Sequence, residues 1–90
     1  LITCSEGLNR NKIVRYIENH NIQTRMLFSG NLLKHPCFNY LRENNVGYRV
    51  VDNLENTDRI MNSTFWIGVY PGMNSEKINY MIKIISEAVL

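Results

Sequence analysis

The sequence predicts an α+β domain, in which a small, mostly antiparallel sheet carries helices packed on one face. Short β-branched and aromatic runs alternate with helix-period segments in the order strand, helix, strand, short helix, strand, helix, strand, helix. At 90 residues the chain is long enough for one hydrophobic core only. We therefore expect a single domain over residues 1–90.

Composition excludes several classes of protein. Hydrophobic residues make up 44% of the chain and charged residues 20%, which is typical of globular domains and excludes disorder, collagen and coiled coil. Ten Lys and Arg against eight Asp and Glu give a net charge of +2, too small and too dispersed to indicate a nucleic-acid partner. The Gly47–Val51 stretch also lacks the aromatic pattern of an RNA-recognition domain.

The sequence has no membrane-spanning segment, no signal peptide and no disulfide framework, and from this we expect a cytoplasmic protein. The most apolar stretch, residues 80–90, contains Lys83 and Glu87 and is too short to span a bilayer, and no signal peptide opens the chain. Cys4 and Cys37 have neither metal-site spacing nor a disulfide framework. We expect both thiols to be reduced and buried, and we expect no metal site.

The first strand is predicted at Leu1–Cys4. Because this apolar run begins without an initiator Met, we expect the chain to be a fragment of a longer protein. A helix follows over Arg10–Asn19, with Asn9 as its N-cap and Asn21 in a left-handed conformation after its end. Arg10 is assigned to the solvent face. The buried face has three apolar residues at helical spacing: Ile13, Val14 and Ile17.

The middle of the chain is predicted to contain shorter helices and strands, separated by turns. Ile22–Phe28 is expected to be extended, and Pro36 limits Leu32–Leu41 to short helical turns. A turn at Asn44–Gly47 precedes a predicted strand at Tyr48–Val51, which is rich in β-branched and aromatic residues.

The last third predicts a helix, a strand and a helix. Asn53 or Asn56 caps the first helix, which ends near Asn62. Thr64–Tyr70 is the strongest strand signal, and Ser75 is the expected N-cap of the terminal helix. The apolar face expected to lie on the sheet consists of Ile78, Met81, Ile82, Ile85 and Val89.

Few residues indicate chemistry. No carboxylate is placed to orient His20 or His35, so no set of nucleophile, base and orienting group can be assembled. A structural role is favoured for His20. Among the aromatic residues at strand spacing, core packing is favoured for Phe28, Phe65 and Trp66.

The Ser29-Gly30-Asn31 tract is a candidate binding loop. Glycine permits close approach of a ligand to the backbone, and amides entering a helical turn can hold an anion. Arg25, in the preceding strand, can reach the same cleft or pair with a surface carboxylate. A plain turn is the simpler alternative.

Two tracts carry a family resemblance. The first is Ile22–Leu33 (IQTRMLFSGNLL), continuing to Pro36 and Phe38, and the second is Leu54–Gly72, which contains NTDRIMN and TFWIGVYPG. Together they resemble the C-terminal segment of the DegT/DnrJ-type family of PLP-dependent sugar aminotransferases and dehydratases. The branch that matches best is the CDP-4-keto-6-deoxy-D-glucose 3-dehydrase of O-antigen lipopolysaccharide synthesis.

The resemblance implies a fold type I parent enzyme. A large PLP domain would lie upstream, this small domain would close its cleft, and the parent would be a homodimer. In the dehydrase branch, pyridoxamine phosphate condenses with the C4 ketone of the CDP-sugar, and a His replaces the usual Schiff-base Lys. Electrons arrive from an NADH-dependent iron-sulfur flavin reductase through a [2Fe-2S] cluster.

The resemblance also implies where the site residues lie. The catalytic His and the cluster Cys residues lie upstream in such enzymes, so no catalytic residue is assigned here, and the fragment alone is expected to be inactive. Gly30 would allow close backbone approach, Asn31 a polar contact and Phe28 an apolar wall, and Arg25 would bind phosphate or pair within the domain. The cofactor and substrate cleft candidates are Arg25, Phe28, Ser29, Gly30 and Asn31.

Two alternatives remain open at this point. One is the equivalent domain of a sugar-nucleotide aminotransferase, which would have a cofactor Lys and no cluster upstream. The other is a free-standing ferredoxin-like interaction or ligand-binding domain. The fragment interpretation further predicts self-association through exposed apolar residues, for which the candidates are Leu1, Leu32, Leu33 and Trp66.

Overall fold

A computed structural model describes residues 1–90 and contains three strands, four α-helices and two 3-10 turns. The strands are β1 (Ile2–Thr3), β2 (Thr24–Arg25) and β3 (Thr64–Ile67). The helices are α1 (Arg10–Asn19), α2 (Asn39–Asn44), α3 (Glu55–Ser63) and α4 (Ser75–Ala88). The 3-10 turns are Leu32–Lys34 and Pro36–Phe38.

The three strands form one antiparallel sheet with the order β1-β3-β2. Ile2 pairs with Phe65, and Thr24 pairs with Ile67. Since directly paired residues share a face, these four residues lie on the same side of the sheet. The neighbouring pairs, Thr3 with Thr64 and Arg25 with Trp66, lie on the opposite side. The predicted α+β class with a small antiparallel sheet is confirmed.

The hydrophobic core lies between the sheet and helices α1 and α4. Phe65 and Ile17 are fully buried at its centre. The other buried apolar residues are Cys4, Ile13, Val14, Ile22 and Ile84. The Asn9 side chain accepts a hydrogen bond from the Lys12 amide at 3.0 Å, and Asn21 has a φ of 61°. The predicted helix α1, its cap and its ending are therefore confirmed.

Helix α4 begins one residue earlier than predicted and packs through a different face. Asn74, not Ser75, is the N-cap, and its side chain accepts a hydrogen bond from the Lys77 amide at 2.9 Å. Ile84 is buried, with Met81, Ile85 and Ala88 packed around it. Three of the five residues predicted to face the sheet are instead exposed: Ile78, Ile82 and Val89. The predicted apolar residues and the residues that are packed in the structure both have helical spacing. The position of α1 decides which set is buried.

The strand predicted at Tyr48–Val51 is wrong, because these residues belong to no strand or helix. The strands predicted at Ile22–Phe28 and Thr64–Tyr70 exist but are shorter. At the start of α3 the Asn53 side chain accepts a hydrogen bond from the Glu55 amide at 3.2 Å, whereas Asn56 lies inside the helix. Leu54, in a left-handed conformation, is the N-cap residue itself.

The molecule has two parts that differ in packing. We call the sheet with α1 and α4 the packed half, and residues 32–54 the arm. All the buried residues lie outside the arm. The radius of gyration is 16.9 Å, whereas a compact chain of this length would have one of about 12 Å. The arm therefore extends away from the core. No helix has the length and hydrophobicity needed to cross a membrane.

Candidate functional site

The sheet face opposite α1 and α4 carries a cluster that we call the aromatic face, made of Arg25, Phe28 and Trp66. Arg25 and Trp66 are directly paired across β2 and β3. The Phe28 ring meets the Trp66 ring edge to face, with centroids 6.3 Å apart and planes inclined at 66°. Phe28 is 87% exposed and Trp66 37% exposed. Core packing, predicted for both, is wrong for them and confirmed for Phe65.

Arg25 has a free charge on this surface. Its guanidinium makes no hydrogen bond or ion pair within the chain. A guanidinium binds phosphate or carboxylate through two parallel hydrogen bonds, and exposed aromatic rings stack on planar or apolar groups. The aromatic face thus combines one anion-binding group with two apolar rings.

Phe28 is held in an unusual conformation. Its φ is 42°, in the left-handed region, which costs a bulky residue about 1–3 kcal/mol. Such a residue persists only where its surroundings fix the backbone. Here the backbone is fixed by contacts of the next three residues, Ser29, Gly30 and Asn31.

Gly30 fixes the loop by close contact with α3. Its φ is 66°, and a Cβ placed on it would lie 2.6 Å from Cγ of Met61. The Asn31 amide also donates a hydrogen bond to Sδ of Met61 at 3.3 Å. The close approach for which Gly30 was a candidate is therefore made to a methionine of the same chain.

Asn31 continues this attachment through a group that we call the anchor, made of Asn31, Lys34 and Asp58. The Asn31 side chain is 3% exposed, accepts a hydrogen bond from the Leu33 amide at 3.0 Å, and donates one to Oδ1 of Asp58 at 2.9 Å. Nζ of Lys34 donates to Oδ2 of the same carboxylate at 2.9 Å. These hydrogen bonds from Lys34 and Asn31 lower the pKa of Asp58.

Ser29 is the most open member of the predicted loop. Its carbonyl oxygen lies within hydrogen-bond distance of Nε2 of His35, which must carry the hydrogen because a carbonyl can only accept. The Ser29 hydroxyl makes no hydrogen bond within the chain and is exposed. The five predicted cleft residues therefore lie close together, with Arg25, Phe28 and Ser29 exposed and Gly30 and Asn31 turned toward α3.

Sequence reasoning missed Asp58 and Arg10. The Arg10 guanidinium donates hydrogen bonds to the carbonyl oxygens of Thr64 at 2.8 Å and Met61 at 3.2 Å. It thus joins the start of α1 to the end of α3, and its assignment to the solvent face is wrong. Helical periodicity gave no sign of this role, because the acceptors are backbone groups about fifty residues away.

The remaining titratable residues do not form a metal-binding cluster. Cys4 is buried, which raises the pKa of its thiol, whereas Cys37 is exposed, against the prediction. No group of three His, Cys, Asp or Glu side chains could hold a metal ion. Two separated cysteines do not fit a [2Fe-2S] cluster, which takes four. Lys34, the lysine nearest the loop in sequence, is paired with Asp58.

A separate cleft of about 720 Å³ lies where β2 begins and α4 starts. Within it, Nζ of Lys77 donates to the Tyr70 hydroxyl at 3.0 Å and the Tyr80 hydroxyl donates to the His20 carbonyl at 3.0 Å, whereas the Gln23 and Glu76 side chains make no hydrogen bond within the chain. His20 itself packs on Tyr16, with ring centroids 4.3 Å apart. None of the predicted site residues lines this cleft, so the aromatic face is the better candidate.

Comparison with known proteins now gives the family. Residues 1–86 match the model of the DegT/DnrJ/EryC1/StrS aminotransferase family. The chain belongs to this family. The resemblance found in the two sequence tracts is confirmed, and the α+β architecture is consistent with the C-terminal domain of its PLP-dependent transferases.

Two curated relatives cover nearly the whole chain. The lipopolysaccharide biosynthesis protein RfbH of Salmonella typhimurium is 47% identical over 83 residues, or 92% of the chain. The dTDP-4-dehydro-2,6-dideoxy-D-glucose 3-dehydratase of Saccharopolyspora spinosa is 41% identical over 88 residues, or 98% of the chain. In both cases the match spans only 18% of the relative's own length.

Proposed function

We propose that the chain is the C-terminal domain of a dehydrase that removes the C3 hydroxyl of CDP-4-keto-6-deoxyglucose in the synthesis of O-antigen 3,6-dideoxyhexoses. The observation that carries this proposal is the 41% identity, over almost the whole chain, to a relative named as a 3-dehydratase of a nucleotide-linked 4-dehydro sugar. The similarity to RfbH supports the lipopolysaccharide pathway. The relative's name specifies dTDP, so the choice between CDP and dTDP has to be tested by experiment.

We assign the aromatic face as the part of this domain that borders the substrate cleft. The unpaired Arg25 guanidinium suits a phosphate of the nucleotide sugar, and Phe28 and Trp66 offer an apolar wall to a ring. Gly30 and Asn31 would act indirectly, because they hold the loop against α3. The exposed Ser29 hydroxyl is available for a polar contact.

The proposed reaction needs groups that this chain does not supply. Replacing the C3 hydroxyl by hydrogen breaks the C–O bond, consumes two electrons and two protons, and releases water. NADH would provide the electrons through an iron-sulfur flavin reductase and a [2Fe-2S] cluster, and pyridoxamine phosphate would activate the C4 ketone. We place these groups elsewhere in a longer, homodimeric, cytoplasmic polypeptide and assign no chemical step to the 90 residues.

A sugar-nucleotide aminotransferase is the second candidate, because the matching family is described by that activity. Such an aminotransferase would have the same fold and would bind PLP, but it would have no iron-sulfur cluster. Anaerobic purification of the full-length polypeptide, with assay of bound PLP or pyridoxamine phosphate and of iron, separates the two. Bound cofactor with about two irons per chain supports the dehydrase. Cofactor without iron supports the aminotransferase, and neither group supports a free-standing binding domain.

The role of the aromatic face can be tested on this chain directly. Trp66 is its one tryptophan, so quenching of its fluorescence reports binding at the face. We expect a CDP-sugar to quench Trp66 and the Arg25→Ala variant to bind at least about tenfold more weakly, as for loss of a charge-assisted hydrogen bond. Arg49→Ala is the matched control, since Arg49 is also exposed and unpaired. Equal loss in both variants would contradict the assignment, and titration with a dTDP-sugar tests the choice of nucleotide.

A further inference from the structure

The Arg10 guanidinium joins segments of the chain that are far apart in sequence. Its Nη1 donates a hydrogen bond to the Thr64 carbonyl at 2.8 Å, and its Nη2 donates one to the Met61 carbonyl at 3.2 Å. Nη1 also donates to Sδ of Met26, and Nε donates to Oδ1 of Asn11 at 2.8 Å. One side chain of α1 therefore contacts the residue after β2, the last turn of α3 and the first residue of β3.

Arg10 makes these contacts without a carboxylate partner. Its positive charge lies at the carboxyl end of α3, where the helix dipole favours a cation and the last carbonyls lack partners within the helix. A guanidinium suits this place because its N–H donors lie in one rigid plane, whereas the lysine ammonium is a point charge on a flexible chain. The contacts of Arg10 thus fix the relative positions of several segments.

Two of the contacts lead to the two rings of the aromatic face. Met26 is two residues before Phe28, and Thr64 is two residues before Trp66. Since alternate residues of a strand share a face, Thr64 and Trp66 lie on the same side of β3. Arg10 therefore holds both the segment that carries Phe28 and the strand that carries Trp66.

The contact with Met61 leads back to the same loop. Gly30 lies so close to Met61 that a Cβ on the glycine would be 2.6 Å from Cγ of the methionine. The loop from Met26 to Gly30 is thus held at its first residue by Arg10 and at its last by Met61, whose carbonyl Arg10 also binds. Phe28, with its φ of 42°, is the middle residue of this loop. An unfavourable backbone conformation persists only with such support.

We propose that Arg10 is a positioning residue of the aromatic face, and that its guanidinium sets the separation of the Phe28 and Trp66 rings. These rings meet with centroids 6.3 Å apart, so a shift of the backbone at Met26 or Thr64 would change their contact. Arg10 makes no hydrogen bond to either ring residue and would act on a bound ligand through them. The inference rests on the proposed function where it treats the face as a binding surface, whereas the placement of the rings does not depend on it.

Fluorescence of Trp66, the one tryptophan, tests the proposal in the free 90-residue chain. We expect Arg10→Ala to shift the Trp66 emission. In the Phe28→Ala background the same change should add little, because both substitutions disturb one contact. Fully additive shifts would overturn the proposal.

Two further variants separate positioning from charge and from folding. Arg10→Lys keeps a positive charge at the end of α3 but cannot hold all the acceptors, so its Trp66 emission should resemble that of Arg10→Ala. Met26→Leu removes the sulfur acceptor at a site 44% exposed, where the fold tolerates the change, and should shift the emission in the same direction. Unmodified emission in Arg10→Lys would show that the charge alone matters, and would overturn the proposal.

Two controls show whether the signal follows stability. Arg15→Ala removes a second arginine of α1 that is exposed and makes no hydrogen bond. Ile84→Val weakens the core on the other side of the sheet. Neither variant should shift the Trp66 emission while the chain is folded. A shift in Ile84→Val as large as that in Arg10→Ala would contradict a positioning role.

Titration with CDP-glucose links the position of the rings to binding. We expect Arg10→Ala to raise the Kd about fivefold, as for residues coupled through shared contacts, and Arg15→Ala to leave it unchanged. An unchanged Kd in Arg10→Ala, where the unmodified chain binds CDP-glucose, overturns the proposal. Absence of binding by the unmodified chain contradicts the proposed role of the aromatic face instead, and the fluorescence of the free variants then decides the role of Arg10.

Discussion

The packed half and the arm have similar local signals but opposite degrees of burial. Both contain capped helical segments and β-branched runs, yet every buried residue lies outside the arm. In the packed half, β3 finds partners on both sides, whereas Tyr48–Val51 in the arm finds none. The comparison teaches that strand-forming composition becomes a strand only where the fold brings a second strand alongside it.

The largest expected difference between the two parts is in the cost of removing an aromatic ring. Phe65→Ala, at the fully buried centre of the core, should destabilise the chain by about 3–5 kcal/mol. Tyr40→Ala, on the exposed arm, should change stability by less than about 0.5 kcal/mol. Urea unfolding followed by circular dichroism measures both, and similar losses would show that the arm is packed in solution.

The second largest expected effect is a loss of stability on changing the loop Ser29–Asn31, which joins the packed half to the arm. Gly30→Ala should cost about 2–4 kcal/mol, because a left-handed φ and a Cβ in contact with Met61 both oppose it. Gly7→Ala is the control, since Gly7 has a φ of 86° but open space around its Cα. The Met61→Ala background should recover part of the Gly30→Ala loss. Equal costs at the two glycines would contradict the close packing on α3.

The anchor should have a somewhat smaller effect on stability. Asn31→Ala removes a buried hydrogen-bonding side chain and leaves the Leu33 amide unpaired, which should cost about 1–3 kcal/mol. The edge contact between Phe28 and Trp66 should loosen as well, so Trp66 fluorescence should shift. Asn44→Ala, an exposed arm residue whose side chain bonds only the Tyr40 carbonyl, is the control and should leave the fluorescence unchanged.

The smallest expected effect is a change of folding stability with pH in the acidic range. The pKa of Asp58 is lowered in the folded chain, so the unfolded chain binds the proton more readily and stability rises with pH through this range. The contribution of the anchor is therefore complete above the ordinary carboxyl pKa of about 4 and is lost as the pH falls through the lowered value. Asp58→Asn should flatten this part of the stability profile, and an unchanged acid slope would exclude the anchor as its source.

Much of the candidate site could be read from the sequence, but not how its residues act. Residue types and the family resemblance predict Arg25 and the loop Ser29–Asn31 as candidate site residues, and these residues lie close together in the structure. The partner of Asn31 could not be found, because Asp58 lies 27 positions away and a carboxylate on a polar helix gives no signal of its own. The exposure of Trp66 was also hidden, since strand alternation does not say which face of a sheet is covered.

The sequence by itself determined the local elements whose stabilising groups are adjacent in the chain. Helix α1 is set by the Asn9 cap, its apolar stripe and the left-handed Asn21, all within about fifteen residues. The tertiary structure alone decided which stripe of α4 is buried and whether Tyr48–Val51 becomes a strand. The physical reason is that caps and turns are satisfied by near neighbours, whereas burial and strand pairing require a surface brought from elsewhere.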